Sequence, residues 1–310
     1  MSYRFCLIGA AGYIAPRHLE AIKNTGNDLV AYYDINDSVG IVDKYFPKAK
    51  FFKEFEFFYD YVNSLKDNEK IDYMSICSPN YLHYPHVRFG LNSGSNVICE
   101  KPLLKDSKSV REIEILQKQT GKKVFSILQL RYHEEVKRIK NIISESENKM
   151  NDIQLTYITS RGNWYLESWK NEFSKSFGLL SNIGIHFFDL LEYIFGDVLR
   201  KKIFVKTEMK ASGFIEYEKA NVKWFLSIDS SDLNYTNSHL STFRELKIGK
   251  ETFNFNVGFE NLHLKSYQEI LKGRGFGLMD CHNSIRTVEL LNISNLSKPE
   301  AKEIHPFLKI

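Results

Sequence analysis

Val97-Ile98-Cys99-Glu100-Lys101-Pro102-Leu103 is the stretch on which the reading of this chain turns. Three apolar residues of strand type run into a glutamate, a lysine and a proline, and proline lacks the N–H that a buried ladder requires. The charged pair therefore sits at a strand's carboxyl end. In an open parallel α/β sheet that end faces the ligand crevice, which makes Glu100 and Lys101 candidates for chemistry; the plain alternative is a surface turn.

The flanking sequence favours the crevice. Upstream, Ile71 to Cys77 reads as a buried strand ending in Ser78-Pro79-Asn80-Tyr81-Leu82-His83, followed by a helix to Leu91 and the turn Asn92-Ser93-Gly94-Ser95. Downstream, a helix from Ser107 to Gln119 leads through Gly121 to a strand over Val124 to Leu128. At the start of the chain, Tyr3 to Ile8 is a strand that enters Gly9-Ala10-Ala11-Gly12-Tyr13-Ile14-Ala15 and then a helix through His18 and Ile22. Strand, small-residue turn and helix bring backbone N–H groups up to a phosphate. The spacing departs from G-x-G-x-x-G as if one residue had been added. About 20 residues on, Leu29 to Tyr33 ends at Asp34, whose carboxylate suits both ribose hydroxyls of a dinucleotide and repels a 2′-phosphate, favouring NAD over NADP. The β-α-β rhythm is that of a doubly wound parallel sheet.

Composition bounds the class. With 310 residues, 43% hydrophobic and 26% charged, the chain suits a globular protein of about two domains. Its net charge of +4 is spread along the sequence, Lys201-Lys202 included, and no nucleic-acid motif accompanies it. The N-terminal residues do not read as a signal peptide, and no apolar run approaches the roughly 18 residues of a membrane span. Cys6, Cys77, Cys99 and Cys281 are scattered, as expected of reduced cysteines in a cytoplasmic protein.

Taken in order, the glycine turn with His18, Asp34, Ser78-Pro79-Asn80 with His83, Glu100-Lys101-Pro102, Gln129-Leu130-Arg131-Tyr132, and Gly178 through Asp189 resemble the glucose-fructose oxidoreductase, inositol dehydrogenase and rhizopine-catabolism (Gfo/Idh/MocA) family. The resemblance implies an α/β protein: an N-terminal NAD-binding Rossmann domain over residues 1–125, then an α+β substrate-binding and oligomerisation domain over 126–310 with an open, mostly antiparallel sheet. The alternating runs Lys202 to Lys206 and Thr252 to Val257 suit a sheet with one wet face. In the family a second subunit commonly covers that face, so a homo-oligomer, dimer or tetramer, is expected. For the cofactor the resemblance implies Gly9, Ala11, Gly12, Tyr13, Ile14, Asp34, Ser78, Asn80, His83, Glu100, Lys101 and Gln129, with Trp169 and Lys170 reaching the nicotinamide end.

In Gly178 to Asp189, Asn182 and His186 are four residues apart and project from one helix face, with Asp189 close enough to orient the histidine. Asn182 stands where most members carry aspartate; it can hold a hydroxyl but cannot accept its proton. His186 is assigned as base and Lys101 as the group that stabilises charge on the reacting oxygen, with the exchanged roles left open by the sequence. Metal is not expected: His83-x-x-His86 and His186-x-x-Asp189 could be imagined as ligand pairs, but no compact cysteine and histidine cluster supports them.

Within the family, the glycine turn Gly9 to His18 with its added residue, Ser160 to Tyr165 with Ser168-Trp169-Lys170, Leu180 to Phe188 with Asn182, and Gly273-Arg274-Gly275-Phe276-Gly277 resemble the branch of bacterial UDP-N-acetylglucosaminuronate 3-dehydrogenases of surface-polysaccharide (lipopolysaccharide) biosynthesis. The substrate's pyrophosphate and carboxylate call for cations, and Arg161, Lys170 and Arg274, with Tyr165 against a ring, are the candidates beside Lys101, Asn182 and His186. A 2-oxo acid that reoxidises the cofactor in place is a further expected partner. The competing readings are a dehydrogenase of a free sugar or cyclitol and an NAD-binding regulator that has lost the chemistry. His133 has no functional account in the sequence.

Overall fold

A computed structural model describes residues 2–145, 150–236 and 240–308. The chain divides into two compact units, Met1–Gln129 with Asn261–His282, and Leu130–Glu260 with Asn283–Ile310. Residues 261–282, expected in the second domain, thus pack with the first, and the crossing point lies at Gln129 rather than 125.

The first unit alternates β1 (Arg4–Ile8), α1 (Ala15–Asn24), β2 (Asp28–Tyr33), β3 (Lys50–Phe52), α2 (Phe55–Ser64), β4 (Tyr73–Ile76), α3 (His83–Asn92), β5 (Asn96–Cys99), α4 (Ser107–Thr120) and β6 (Val124–Ser126). The sheet order is β3-β2-β1-β4-β5-β6, with every pairing parallel. Its order reverses between β1 and β4, the switch point at which this architecture binds ligands. The central strands are buried on both faces, which explains their largely apolar runs. The edge strand β3 is only three residues long and carries no readable period, and neither it nor α2 is evident in the sequence.

The second unit contains α5 (Glu134–Glu145), β7 (Asn151–Thr159), α6 (Asn163–Glu167), α7 (Phe173–Ser176), α8 (Ile185–Phe195), β8 (Val198–Lys206), β9 (Lys210–Tyr217), β10 (Ala220–Ser227), β11 (Thr242–Ile248) and β12 (Glu251–Asn254). They form a sheet of order β12-β11-β7-β10-β9-β8, antiparallel except for β7 with β10. After β12 come α9 (Leu262–Leu271), which packs on α1 in the first unit, and α10 (His282–Ile293). Ser126 N–H donates to Phe276 O at 2.9 Å, so the returning segment also caps the free edge at β6.

One face of the second sheet, with Ile153, Leu155, Val222, Trp224 and Leu246, shares a buried core with Phe187, Phe188 and Leu191 of α8. The opposite face carries Phe225 and Thr156, and the chain's own C-terminal segment covers this part of it. His305 stacks on Phe225 with ring centroids 5.6 Å apart, and its Nε2 meets Thr156 Oγ1 at 3.1 Å. Glu303 accepts from Lys202 Nζ at 2.8 Å and from Arg200 at 3.1 Å. His133, unexplained in the sequence, is a fastener: Nε2 donates to Val257 O at 2.8 Å and Nδ1 accepts from Glu135 N–H at 3.2 Å.

Burial, then the charges of Lys223 and Lys247, push the His305 pKa down to about 3. The folded protein therefore refuses a proton that the unfolded chain binds near pH 6.5, so stability is retained above that pH and lost as pH falls toward the folded value. His305→Gln is expected to flatten the acid side of stability by about 1 kcal/mol per pH unit. Urea unfolding of both proteins at several pH values below about 6.5 checks this, and parallel slopes refute it.

Candidate active site

The cofactor cradle begins where β1 ends. Gly9 has φ +90°, and a Cβ there would lie 2.6 Å from the carbonyl carbon of Cys77 and from the nitrogen of Ser78. Only glycine lets the first turn and the end of β4 approach so closely. Helix α1 then starts at Ala15 with proline in its first turn and no side-chain cap, Ala15 N–H donating to Gly12 O at 3.0 Å and Arg17 N–H to Ile14 O at 3.1 Å. Tyr13 is exposed in this turn. Asp34, at the end of β2, accepts from Ala11 N–H at 2.9 Å through one carboxylate oxygen and from Asn36 N–H at 2.8 Å through the other. Gln129 is buried with its Oε1 unpartnered, an acceptor suited to a polar ligand. These features fit a dinucleotide: glycine clearance and helix N-terminus for pyrophosphate, Asp34 for ribose, Gln129 Oε1 for an N–H donor.

Two expected cofactor contacts are instead internal fasteners. The buried His83 ring lies 2.7 Å from Pro102 O through Nδ1 and 2.8 Å from Ser78 O through Nε2; both carbonyls only accept, so the neutral ring donates to one of them and lies against the other. Glu100 is 6% exposed; its Oε1 accepts from His18 Nε2 at 2.9 Å and His263 Nε2 at 3.0 Å, and its Oε2 from Lys101 N–H at 3.3 Å. Burial opposes the charge, but hydrogen bonds from His18 and His263 outweigh it and hold this carboxyl well below its usual range. His263 and Tyr267, four residues apart on α9, went unnoticed in the sequence, although a polar pair at that spacing on an apolar helix was the available signal. Among the described residues, His18, Glu100 and His263 alone have the spacing of a metal-ligating group, and their hydrogen bonds to one another already satisfy the facing atoms.

Ser78 Oγ bonds His86 Nδ1 at 2.9 Å, and Asn80 opens the short helical turn before α3, also buried. Lys101, half-buried, follows β5, and the Lys101–Pro102 peptide is cis. Arg274, expected at the substrate, belongs to the first unit and lies on Glu269, with Nε donating at 2.8 Å.

In the second unit, Asn182 falls in a π-helical turn, Leu180–Gly184, that continues into α8. The sequence spacing predicts a regular helix over this stretch. Gly184 explains part of the difference, since a Cβ there would meet Phe188 at 2.7 Å and Leu226 at 2.8 Å. Such turns often accompany functional sites. Asn182 Nδ2 donates to Tyr165 Oη at 2.8 Å, and His186 lies in the first turn of α8. The Asp189 carboxylate accepts from Arg131 Nε at 2.9 Å and Nη2 at 2.7 Å and from Ser284, so Arg131 anchors it whatever it does for His186.

Tyr165 and Lys170 line a cavity of about 390 Å³ with Phe173, Leu179, Lys206 and Asn292. The Lys170 ammonium lies 4.6 Å from the centroid of Trp169 and 5.1 Å from that of Trp164, and burial followed by the charge of Arg161 lowers its pKa. Arg161, 5.7 Å from the Tyr165 ring, has a buried, unpartnered Nε. Two cations, Arg161 and Lys170, thus lie near Tyr165 within this unit.

A parallel six-stranded sheet with an open glycine turn, an aspartate after β2 and a lysine after β5 is the frame of a dinucleotide-binding oxidoreductase. Residues 3–128 match the family model described as oxidoreductase family, NAD-binding Rossmann fold, and residues 147–231 match its C-terminal alpha/beta domain. The chain belongs to this GFO_IDH_MocA family. The WlbA (WbpB) dehydrogenase of Thermus thermophilus is 43% identical, with 99% of this chain and 100% of that chain covered. Its structures with NAD and alpha-ketoglutarate and with NAD and UDP-GlcNAcA superimpose at TM-scores of 0.94 and 0.95. Among curated relatives, the glucose-6-phosphate 3-dehydrogenase of Bacillus subtilis is 29% identical over 61% of this chain and 53% of its own length. The D-glucoside 3-dehydrogenase of Escherichia coli is 27% identical over 41% and 36%. The chain thus spans about a third to a half of the length of these curated relatives.

Gly9→Ala is expected to lower stability by about 2 kcal/mol or more, through the backbone overlap and the positive φ, and to abolish NAD binding. Thermal unfolding with and without NAD reads both effects. An unchanged Tm would show that the two backbones do not meet as described.

Proposed function

We propose that this chain oxidises the 3-hydroxyl of UDP-N-acetylglucosaminuronate with NAD, a step in making sugars for bacterial surface polysaccharide. The observation that carries this reading is the 43% identity, over essentially the full length of both chains, to a dehydrogenase whose structures hold NAD with UDP-GlcNAcA. The curated relatives named for 3-position oxidation support the choice of hydroxyl.

NAD, when bound, supplies the hydride acceptor; the protein handles the proton and the charge. Lys101 hydrogen-bonds the reacting oxygen and stabilises negative charge on it, and His186, as the base, takes the hydroxyl proton. Asn182, held by Tyr165, presents a hydroxyl-binding amide, and Arg161 with Lys170 meets substrate anions. A 2-oxo acid is a second ligand, reoxidising the cofactor in place; the Thermus structure with NAD and alpha-ketoglutarate supports it. Four buried cysteines favour a cytoplasmic location, and among the described residues no helix is long and apolar enough to cross a membrane. A homo-oligomer, dimer or tetramer, would use surface outside the C-terminal cover, where Leu199 is 61% exposed at one end of β8.

Adding UDP-N-acetylglucosaminuronate to the protein with NAD is expected to raise the reduced-nicotinamide absorbance. Lys101→Ala and His186→Asn should each cut kcat by about a hundredfold or more. Reduction with free glucosides or inositols but not with the UDP-sugar would select the free-sugar reading, and NAD binding without reduction by any of them the regulator reading.

A further inference from the structure

The cavity beside Tyr165 lies wholly within the second unit, and its lining is of two kinds. One part is aromatic: Phe173 of α7 lines the cavity and is 57% exposed. Its ring rests on Gly178, where a Cβ would lie 2.9 Å from Cδ2 and 3.0 Å from Cε2. Gly178 and Phe177 both have positive φ, +78° and +64°, an uncommon conformation for phenylalanine. The other part is polar. Lys170 Nζ lies over Trp169 and Trp164 and, among the described residues, donates no hydrogen bond; burial lowers its pKa and no carboxylate of the chain offsets the effect. Lys206 is already committed, its Nζ donating to Asn292 O at 2.6 Å and Ser294 O at 3.1 Å. Glu208, exposed in the turn between β8 and β9, adds a carboxylate. Tyr165 joins this cavity to the proposed sugar site, since its hydroxyl accepts from Asn182 Nδ2 at 2.8 Å.

We propose that the cavity holds the uridine diphosphate end of the substrate, with the uracil on Phe173, the diphosphate on Lys170 and the ribose hydroxyls on Glu208. This rests on the nucleotide-sugar reading and deepens it, by placing the half of the substrate that a free sugar lacks. The chemistry of each wall selects the group it takes. A planar base stacks on an exposed aromatic ring. An ammonium without a counter-charge draws the diphosphate, whose charge offsets the desolvation of that lysine. A carboxylate accepts from paired ribose hydroxyls and repels phosphate, which keeps the two groups apart. The volume of about 390 Å³ lies in the range of small-ligand sites, and Tyr165 leaves the sugar beside Asn182. Lys170, for which the sequence offered the nicotinamide end or a substrate anion, takes the anion.

The test titrates UDP into the NAD-saturated protein by calorimetry at several salt concentrations, with thermal unfolding confirming that each variant is folded. Phe173→Leu is expected to weaken UDP binding about tenfold without changing its salt dependence, and Phe173→Tyr, which keeps the ring, should stay within about twofold of the original. Lys170→Met should weaken it about tenfold and flatten the salt dependence. In turnover with UDP-N-acetylglucosaminuronate, both weakened variants should raise KM with kcat little changed. An unmoved UDP affinity in either folded variant overturns the proposal, as does a Lys170→Met protein that loses affinity for NAD but not for UDP. Should one variant fail to fold, the other decides alone. Oxidation of the UDP-sugar with UDP affinity unmoved by these substitutions rejects this site and keeps the dehydrogenase reading; a protein that binds no UDP and reduces NAD only with free sugars rejects both.

Discussion

A carboxylate shut away from water must be met by donors, and Glu100 is that carboxylate here. Its charge costs several kcal/mol to bury without compensation. Compensation comes from α1 through His18, from α9 through His263 and from its own turn through the Lys101 N–H. The requirement reaches far along the sequence: α9 follows residues 130–260 of the second unit, yet it must return to the first unit for Glu100 to be satisfied. The same return brings Phe276 to the free edge at β6, so one segment meets two needs, a buried charge and an unpaired strand.

A second constraint acts at the switch point. The turn after β1 and the end of β4 approach so closely that Gly9 has no room for a side chain. That contact and the His83 ring, packed between Ser78 O and Pro102 O, bring three successive strand ends into one rim.

The second unit positions its polar residues differently. It uses a widened helical turn, a tyrosine hydroxyl under Asn182, and a bidentate arginine under Asp189. Arg131 and Asp189 are both nearly fully buried, a geometry in which two parallel N–H to oxygen bonds offset desolvation better than one. Helix α8 is therefore fixed in rotation as well as in place, and with it the residues of its first turn.

Much of this was legible in the chain. Periodicity and turn chemistry determine the parallel sheet, the strand ends at Cys77 and Cys99, the glycine turn and the aspartate after the second strand, because each depends on residues within a few positions of one another. The alternating runs announce a sheet with two unlike faces. What the sequence could not supply are relations between distant residues. That Glu100 and His83 face inward, that His263 and Tyr267 belong with His18, that Arg131 takes Asp189, and that His305 lies against Phe225 all depend on which elements pack together. The three-residue β3 and the π turn also escaped, the first because it is too short for a period, the second because a single wide turn has no pattern of its own. Sequence determines which groups are present and where local structure begins and ends; only tertiary packing decides which buried charge meets which donor, since that energy depends on distances the chain order does not contain.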